Sequence, residues 1–252
     1  MIITGGKNIY GCELGILMLE SHFPRLVGDV GHAKTYDFPV LFHVVKGSLP
    51  KKVVLDLGPE DLEPFIAAAK ELERQGVRAI TTSCGFLALF QKKLASCLKI
   101  PIFTSTLMLL PSLFLAFYGK KILVLTANSK SLTPEHLAAV GVAPEFLGRA
   151  FGLVGTEDGE MFTNFTEQDW SYVDPEKCWQ EISFCLDRAF QQHDYAAILL
   201  ECTNLPPYSA LIRQRYGKPV FDFVSMVKFF HAALSSQQFA VGESFKDSLP
   251  SL

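Results

Sequence analysis

The sequence predicts an α/β protein of two pseudo-symmetric, doubly wound halves, each a small parallel sheet flanked by helices, with the active site between them. Three observations lead there. Apolar runs of strand length alternate with longer segments of helical spacing, the pattern of strands that pair in parallel through crossover helices. Shifted by 118 positions against itself, the chain places Cys84 on Cys202, Ala79 on Ala197, Ile80 on Ile198, Leu87 on Leu205, Pro101 on Pro219, Phe103 on Phe221 and Met108 on Met226. That order of strand, cysteine, helix and Pro-x-Phe strand points to an internal duplication. In both copies, Thr81-Thr82-Ser83-Cys84-Gly85-Phe86 and Leu199-Leu200-Glu201-Cys202-Thr203-Asn204, the thiol closes an apolar strand.

The first half is expected over about 1–118 and the second over 119–252, with exchange of the terminal elements 219–252 left open. Gly11 to Leu19 ends in a continuous apolar run, as in a strand buried on both faces of a parallel sheet, and stops at Glu20-Ser21. Residues 22–39, punctuated by Pro24, Gly28 and Gly31, read as a long loop of the kind that covers sites. Val40 to Val45 and Lys52 to Leu57 read as short strands. Gly58-Pro59-Glu60-Asp61 opens a helix reaching about Arg74, since proline and acidic residues suit a first turn. After Gly76, the strand Val77 to Thr82 delivers Cys84; helical spacing follows over Phe86 to Leu98, a strand over Ile100 to Phe103 and a helix over Leu107 to Tyr118.

In the second half Lys121 to Asn128 is a strand, and Thr133 caps a helix that opens at Pro134. Residues 151–174, Gly-rich, acidic and aromatic without period, read as a second lid or an interface loop. Asp174-Pro175-Glu176 opens a helix whose buried face carries Cys178 and Cys185. Ala196 to Leu200 delivers Cys202, Asn204 to Tyr216 is helical, Pro219 to Phe223 is a strand and Val224 to Ser235 a helix. The tail past Gln238 is polar and expected at the surface.

With 49% hydrophobic residues in 252, the chain can build a sizeable core. A net charge of −3 from 23 basic and 26 acidic residues, without runs of one sign, gives no footprint for nucleic acid or an anionic membrane. Ile100 to Gly119 is uncharged, but Pro101 and Pro111 interrupt it, and its counterpart Lys218 to Leu234 carries Lys218, Asp222, Lys228 and His231, so no membrane span is expected. Met1 to Gly6 lacks the features of a signal peptide, which makes a reducing cytoplasm the expected compartment and the six cysteines thiols. No Cys-x-x-Cys pair or matching histidine spacing suggests a metal, and His22, His32 and His43 read as loop surface.

In open α/β sheets the ligand crevice lies at the carboxyl ends of the strands, where both Cys84 and Cys202 fall. Each is placed where a helix begins, an environment that lowers a thiol pKa and offers unpaired N–H groups to an anion. Two such sites facing one another would hold two titratable thiols around a small carboxylate-bearing ligand. That suits inversion of a carbon acid, in which one group removes a proton from one face and another returns it to the opposite face. Backbone amides and the hydroxyls beside each cysteine would stabilise the carbanion. No cofactor is needed in principle.

These residues, with Leu123-Val124-Leu125-Thr126-Ala127-Asn128, resemble the aspartate/glutamate racemase superfamily, which also holds hydantoin racemases, maleate cis-trans isomerases and arylmalonate decarboxylases. The resemblance implies two pseudo-symmetric halves, no pyridoxal phosphate, no metal and often a homodimer. It implies Cys84 and Cys202 as the acid/base pair, Thr203 as the threonine after the second cysteine, and Glu20-Ser21 in place of an Asp-Ser. Gly85-Phe86 stands where glutamate racemases have Asn-Thr, and Asn204 where they have histidine, so glutamate is not the expected substrate. Thr82, Ser83, Gly85, Thr203, Asn204, Asn128, Glu20 and Ser21 are the expected substrate-binding residues. The expected activity is an isomerase, a cofactor-independent racemase or epimerase. Its alternatives are a single-cysteine cis-trans isomerase or decarboxylase of small dicarboxylates, and a non-catalytic binder of a small anion.

Overall fold

The computed structural model describes residues 5–234, so the polar tail expected past Gln238 lies outside the described residues. Two four-stranded parallel sheets form its frame. The first has the order β2-β1-β3-β4, with β1 (Leu14–Leu19), β2 (Val40–Val45), β3 (Ala79–Thr82) and β4 (Ile102–Phe103). The second repeats it as β6-β5-β7-β8, with β5 (Ile122–Thr126), β6 (Phe151–Gly155), β7 (Ala197–Leu200) and β8 (Val220–Phe221). The helices are α1 (Pro50–Leu55), α2 (Leu62–Gln75), α3 (Gln91–Cys97), α4 (Leu110–Ala116), α5 (Pro134–Ala139), α6 (Phe162–Glu167), α7 (Pro175–Gln192), α8 (Ser209–Tyr216) and α9 (Phe223–Leu234). The α/β fold with two similar parallel sheets is thus the one expected. Among the described residues no helix is long and apolar enough to cross a membrane.

The registers show where the duplication is visible. Ile80 pairs with Ile102 in the first sheet and Ile198 with Val220 in the second, so β3 and β4 map onto β7 and β8 with the 118-residue step intact. Leu14 pairs with Ala79, and Ile122 with Ala197, so the inner strands β1 and β5 also correspond, but at a different step.

Two local expectations change. Residues read as a strand over Lys52 to Leu57 form the end of α1, which Pro50 opens at a position where its missing N–H costs nothing. The segment 151–174 contains the edge strand β6 and the helix α6. Gly152 and Gly155 dilute the apolar signal of β6, and at Gly152 a side chain would strike the ring of Tyr195. Thr133 is the residue before α5, and its N–H donates to His136 Nδ1 at 3.1 Å.

Side-chain alternation sorts the strands into separate cores. Leu17 and Leu19 of β1 face Phe65 and Leu72 of α2 in a core that continues to Ile122 and Val124 of β5 and Leu199 of β7, so the two halves share one apolar interior. The opposite face of the second sheet, Leu123, Leu125, Ile198 and Leu200, packs on Cys178, Ile182 and Leu186 of α7. Cys178 is fully buried there, whereas Cys185 is only half-buried. The opposite face of the first sheet, Leu14, Ile16 and Met18, is covered by Phe223, Met226 and Val227 of α9. The last described helix therefore returns to the first sheet.

Phe223 is fully buried at the start of α9. Phe223→Ala should cost about 3–5 kcal/mol, the range for losing a buried phenylalanine, measured as a lowered midpoint in urea. A change below about 1 kcal/mol would mean that α9 does not close the first sheet.

Candidate functional site

Both cysteines stand one or two residues past the carboxyl ends of inner strands. Cys84 follows β3 in extended conformation (φ −155°, ψ 122°) and precedes the 3-10 turn Gly85–Phe90. Cys202 follows β7 and precedes the 3-10 turn Pro206–Tyr208. Their neighbours join the halves: Thr203 Oγ1 donates to the Ser83 carbonyl at 2.6 Å, and Thr106 Oγ1 donates to the Leu200 carbonyl at 2.9 Å. Ser83 is fixed in turn, its N–H donating to the Leu17 carbonyl and its Oγ accepting the Leu19 N–H, both at 2.9 Å.

Cys84 and Cys202 open onto one cavity of about 30 Å3 between the sheets. Its floor is the strand-end backbone of Ser83, Gly85 and Thr203; Phe23 and Arg25 come from the loop after β1, Pro50 and Val54 from α1, and Thr166 and Glu167 from α6. Both segments read as lids from the sequence therefore supply walls. A larger, open groove between β6 and α7, lined by Glu157, Asp158, Glu181 and Arg188, contains neither cavity thiol. Among the described residues no group of three or more His, Cys, Asp and Glu side chains is placed to hold a metal ion.

The electrostatics centre on Glu201, which is fully buried and lines the same cavity. Thr126 Oγ1 donates to its Oε2 at 2.6 Å, while its Oε1 has no hydrogen-bond partner. Burial pushes this carboxyl up to about 7, against the pull of the Thr126 hydroxyl. Burial also pushes the Cys84 thiol up to about 12, the Glu201 charge adding to it, while the N–H groups of Phe86 and Leu87 draw it down. Cys202 is raised well above the usual thiol value by burial and by Glu201, with the Asn204 N–H opposing. The expected lowering of both thiols at helix starts is thus reversed, because two or fewer amides at a short 3-10 turn are outweighed by desolvation and a neighbouring carboxylate.

The expected binding residues divide. Ser83, Gly85, Thr203 and Asn204 line the cavity. Asn204 Nδ2 donates to Asp29 Oδ2, and its Oδ1 lies 3.5 Å from Cys202 Sγ. Thr82 does not line it; its hydroxyl is spent on the Cys84 and Thr104 carbonyls at 3.0 and 2.7 Å. Asn128 holds a wall from behind, Nδ2 to Glu167 Oε1 at 3.1 Å. Ser21 does the same for Arg25, accepting from Nη2 at 2.8 Å. Glu20 turns away and accepts the Gly47 N–H at 2.7 Å.

Three charged wall residues were not among those expected. Arg25 bonds Asp29 at 2.7 Å through Nη1 and lies over the Phe23 ring, 4.5 Å from its centre. Glu167 is buried and its carboxyl raised, chiefly by desolvation. Arg25 sits in an aperiodic loop, and Glu167 in a segment whose helix the sequence concealed. Glu201 alone left a signal, an acidic residue closing an otherwise apolar strand.

No family model matches the chain. It is 34% identical over 229 residues to a dimethylsulfoniopropionate lyase of Durusdinium sp. clade D, covering 88% of this chain and 75% of that protein. It is 33% identical over 230 residues to dimethylsulfoniopropionate lyase 3 of Emiliania huxleyi, covering 88% of this chain and 60% of that one. Among solved structures, a glutamate racemase from Bacillus anthracis superposes with a TM-score of 0.59 at 11% identity, covering 88% of this chain and 81% of the other. An aspartate racemase homologue from Pyrococcus horikoshii gives 0.53 at 17% over 88% and 99%, and an arylmalonate decarboxylase 0.51 at 18% over 87% and 91%. At these identities the structures speak to the fold, which is that of the aspartate/glutamate racemase superfamily, as the resemblance implied.

The sequence relatives correct the expected activity. They are lyases by name, so the racemase or epimerase expectation, its classification as an isomerase, and the isomerase-or-decarboxylase and binding-protein alternatives are set aside. The physical reason is that two thiols beside a carboxylate site specify removal of a proton and say nothing of what the carbanion does next.

Gly85 has no room for a side chain, since a Cβ there would press into Glu201 Oε1 and the Glu201 carbonyl. Gly85→Ala should displace that carboxylate at a cost of about 1–3 kcal/mol, the range for overpacking, read as a lowered Tm. An unchanged Tm would show that Glu201 is not packed against this turn.

Proposed function

The chain belongs to the dimethylsulfoniopropionate lyase family, and from that premise we propose that it eliminates dimethyl sulfide from dimethylsulfoniopropionate, leaving acrylate. The observation that carries the reading is the opening of two duplicate-position thiols, Cys84 and Cys202, onto one cavity. A thiolate removes a proton from the carbon beside the carboxylate. The electron pair of that C–H bond becomes the carbon–carbon double bond, and the pair of the C–S bond leaves on sulfur as neutral dimethyl sulfide. The proton stays on the thiol.

Two N–H groups favour the Cys84 thiolate against one for Cys202, so Cys84 is assigned as the base. Cys202, beside Asn204 and kept as a thiol, faces the carboxylate that gathers charge as the proton leaves. The substrate is a zwitterion, and the walls offer both signs. Arg25 supplies a guanidinium for its carboxylate. The faces of Phe23 and Phe86 and the Glu167 carboxyl suit a sulfonium cation. A cation bound beside Cys84 also favours the thiolate that burial disfavours. A mechanism of free thiols fits a reducing compartment.

The test is dimethyl sulfide in the headspace and acrylate by NMR, after subtraction of the hydroxide-driven background. Cys84→Ala and Cys202→Ala should each lose at least about 100-fold in kcat/KM, the usual worth of a positioned acid or base. Because the base must be ionised, kcat/KM should fall as pH drops below neutrality. Folded wild-type protein that releases no dimethyl sulfide would sink the proposal.

A further inference from the structure

The reaction leaves a proton on a thiol that is 8% exposed, in a cavity with room for little more than a water molecule. Before the next turnover that proton must go, and the group placed to take it is unusual. Glu201 is fully buried, shares the cavity with both thiols, and presents an oxygen that nothing in the fold satisfies. Unpaired buried carboxylate oxygens are costly and call for an explanation. Gly85 leaves the space that this oxygen occupies, and Thr126 holds the other oxygen so that Oε1 stays free.

We propose that Glu201 is the proton relay of the site, taking from Cys84 the proton that the thiol has removed from the substrate. The inference rests on the lyase reading above. In the first step Cys84 sulfur gains the substrate proton as dimethyl sulfide departs; in the second the S–H proton passes to Glu201, restoring the thiolate; in the third Glu201 loses it to water as acrylate leaves. The groups facing Glu201 are Cys84 from the first sheet, Cys202 from its own strand end and Glu167 from α6. Beyond these, Arg25 and Asp29 act from the loop after β1, and Lys51 of α1 acts on Glu167. With its carboxyl near 7, Glu201 exchanges a proton with water readily at neutral pH.

A relay of this kind shapes the pH profile. Cys84 and Glu201 lose their first proton as a unit, so the active, singly ionised pair forms through that ionisation and then holds steady. Wild-type kcat/KM should rise to a bend near pH 7 and change by less than about twofold from pH 7.5 to 9. Glu201→Gln removes the partner and leaves the thiol to titrate alone. Its kcat/KM should be down about 100-fold at pH 7.5 and climb about tenfold per pH unit with no bend.

Labelling of Cys84 by iodoacetamide, followed by peptide mass, separates this inference from the lyase reading. If wild type turns over no dimethylsulfoniopropionate, the lyase reading fails, yet the labelling rate should still bend near pH 7 in wild type and run straight in Glu201→Gln. A bend that survives in Glu201→Gln, or is missing from wild type, overturns the relay. Should Glu201→Gln not fold, Thr126→Val removes the hydroxyl that favours the ionised carboxyl. The bend should then move up by about one pH unit; an unmoved bend overturns the relay as well.

Discussion

The hydrogen bond from the Thr203 hydroxyl to the Ser83 carbonyl, 2.6 Å long, fixes the distance between the two sheets where it matters. Each partner is the chain neighbour of a cavity cysteine. The Thr106 hydroxyl on the Leu200 carbonyl and the Val30 N–H on the Thr203 carbonyl, at 2.9 and 3.3 Å, brace the same strand ends. Thr106 and Thr203 are buried, so losing such a bond strands polar groups without water, at about 1–3 kcal/mol each. The mutual placement of the thiols is therefore set by backbone and short side chains, which have few alternative rotamers.

That arrangement explains why the sequence disclosed the frame and the thiol pair but not the walls. The step of 118 residues survives from β3 to β4 and from β7 to β8 because the same short connection, strand to cysteine to helix to strand, must span the same distance in both halves. It fails at β1 and β5, where longer connections of unequal length intervene. Cys84 and Cys202 were legible through their equivalence. Arg25 and Glu167 come from just those unequal connections and have no counterpart to be aligned with. Thr82 and Glu20 misled for another reason: each stands at a strand end as a binding residue should, but Thr82 points back into its own sheet and Glu20 away from the cavity. Which way a strand-end side chain turns depends on what the opposite half puts beside it.

Glu201 shows the same dependence at the level of charge. In an isolated half it would end a strand in water, the ordinary fate of a glutamate. Packing of the Gly85 turn against it removes the water and leaves one oxygen unpaired, and both thiols rise with it. The fold that racemases and a decarboxylase share supplies two groups on a carbon acid. A substrate that carries a leaving group on the next carbon decides the outcome, because a carbanion with a neutral leaving group beside it expels that group instead of waiting for a second proton. A lyase therefore needs one base with a route for its proton, where a racemase needs two bases on opposite faces.

The size of the cavity adds a constraint on how that substrate enters. Room of about 30 Å3 suits a single water molecule and not a sulfonio carboxylate, so a wall must give way. The strand-end floor is tied across the sheets by buried hydrogen bonds and is the costly part to move. The loop carrying Phe23 and Arg25 is held to the end of α6 by Asp169, which accepts the His22 and Phe23 N–H groups at 2.6 and 2.9 Å and meets the His22 ring at 2.8 Å. His22 is 77% exposed, and ion pairs in water are worth little. The wall with the weakest attachment is thus the one that carries the guanidinium assigned to the carboxylate, and closing it brings that charge, the Phe23 ring and the thiols together around the substrate in one movement.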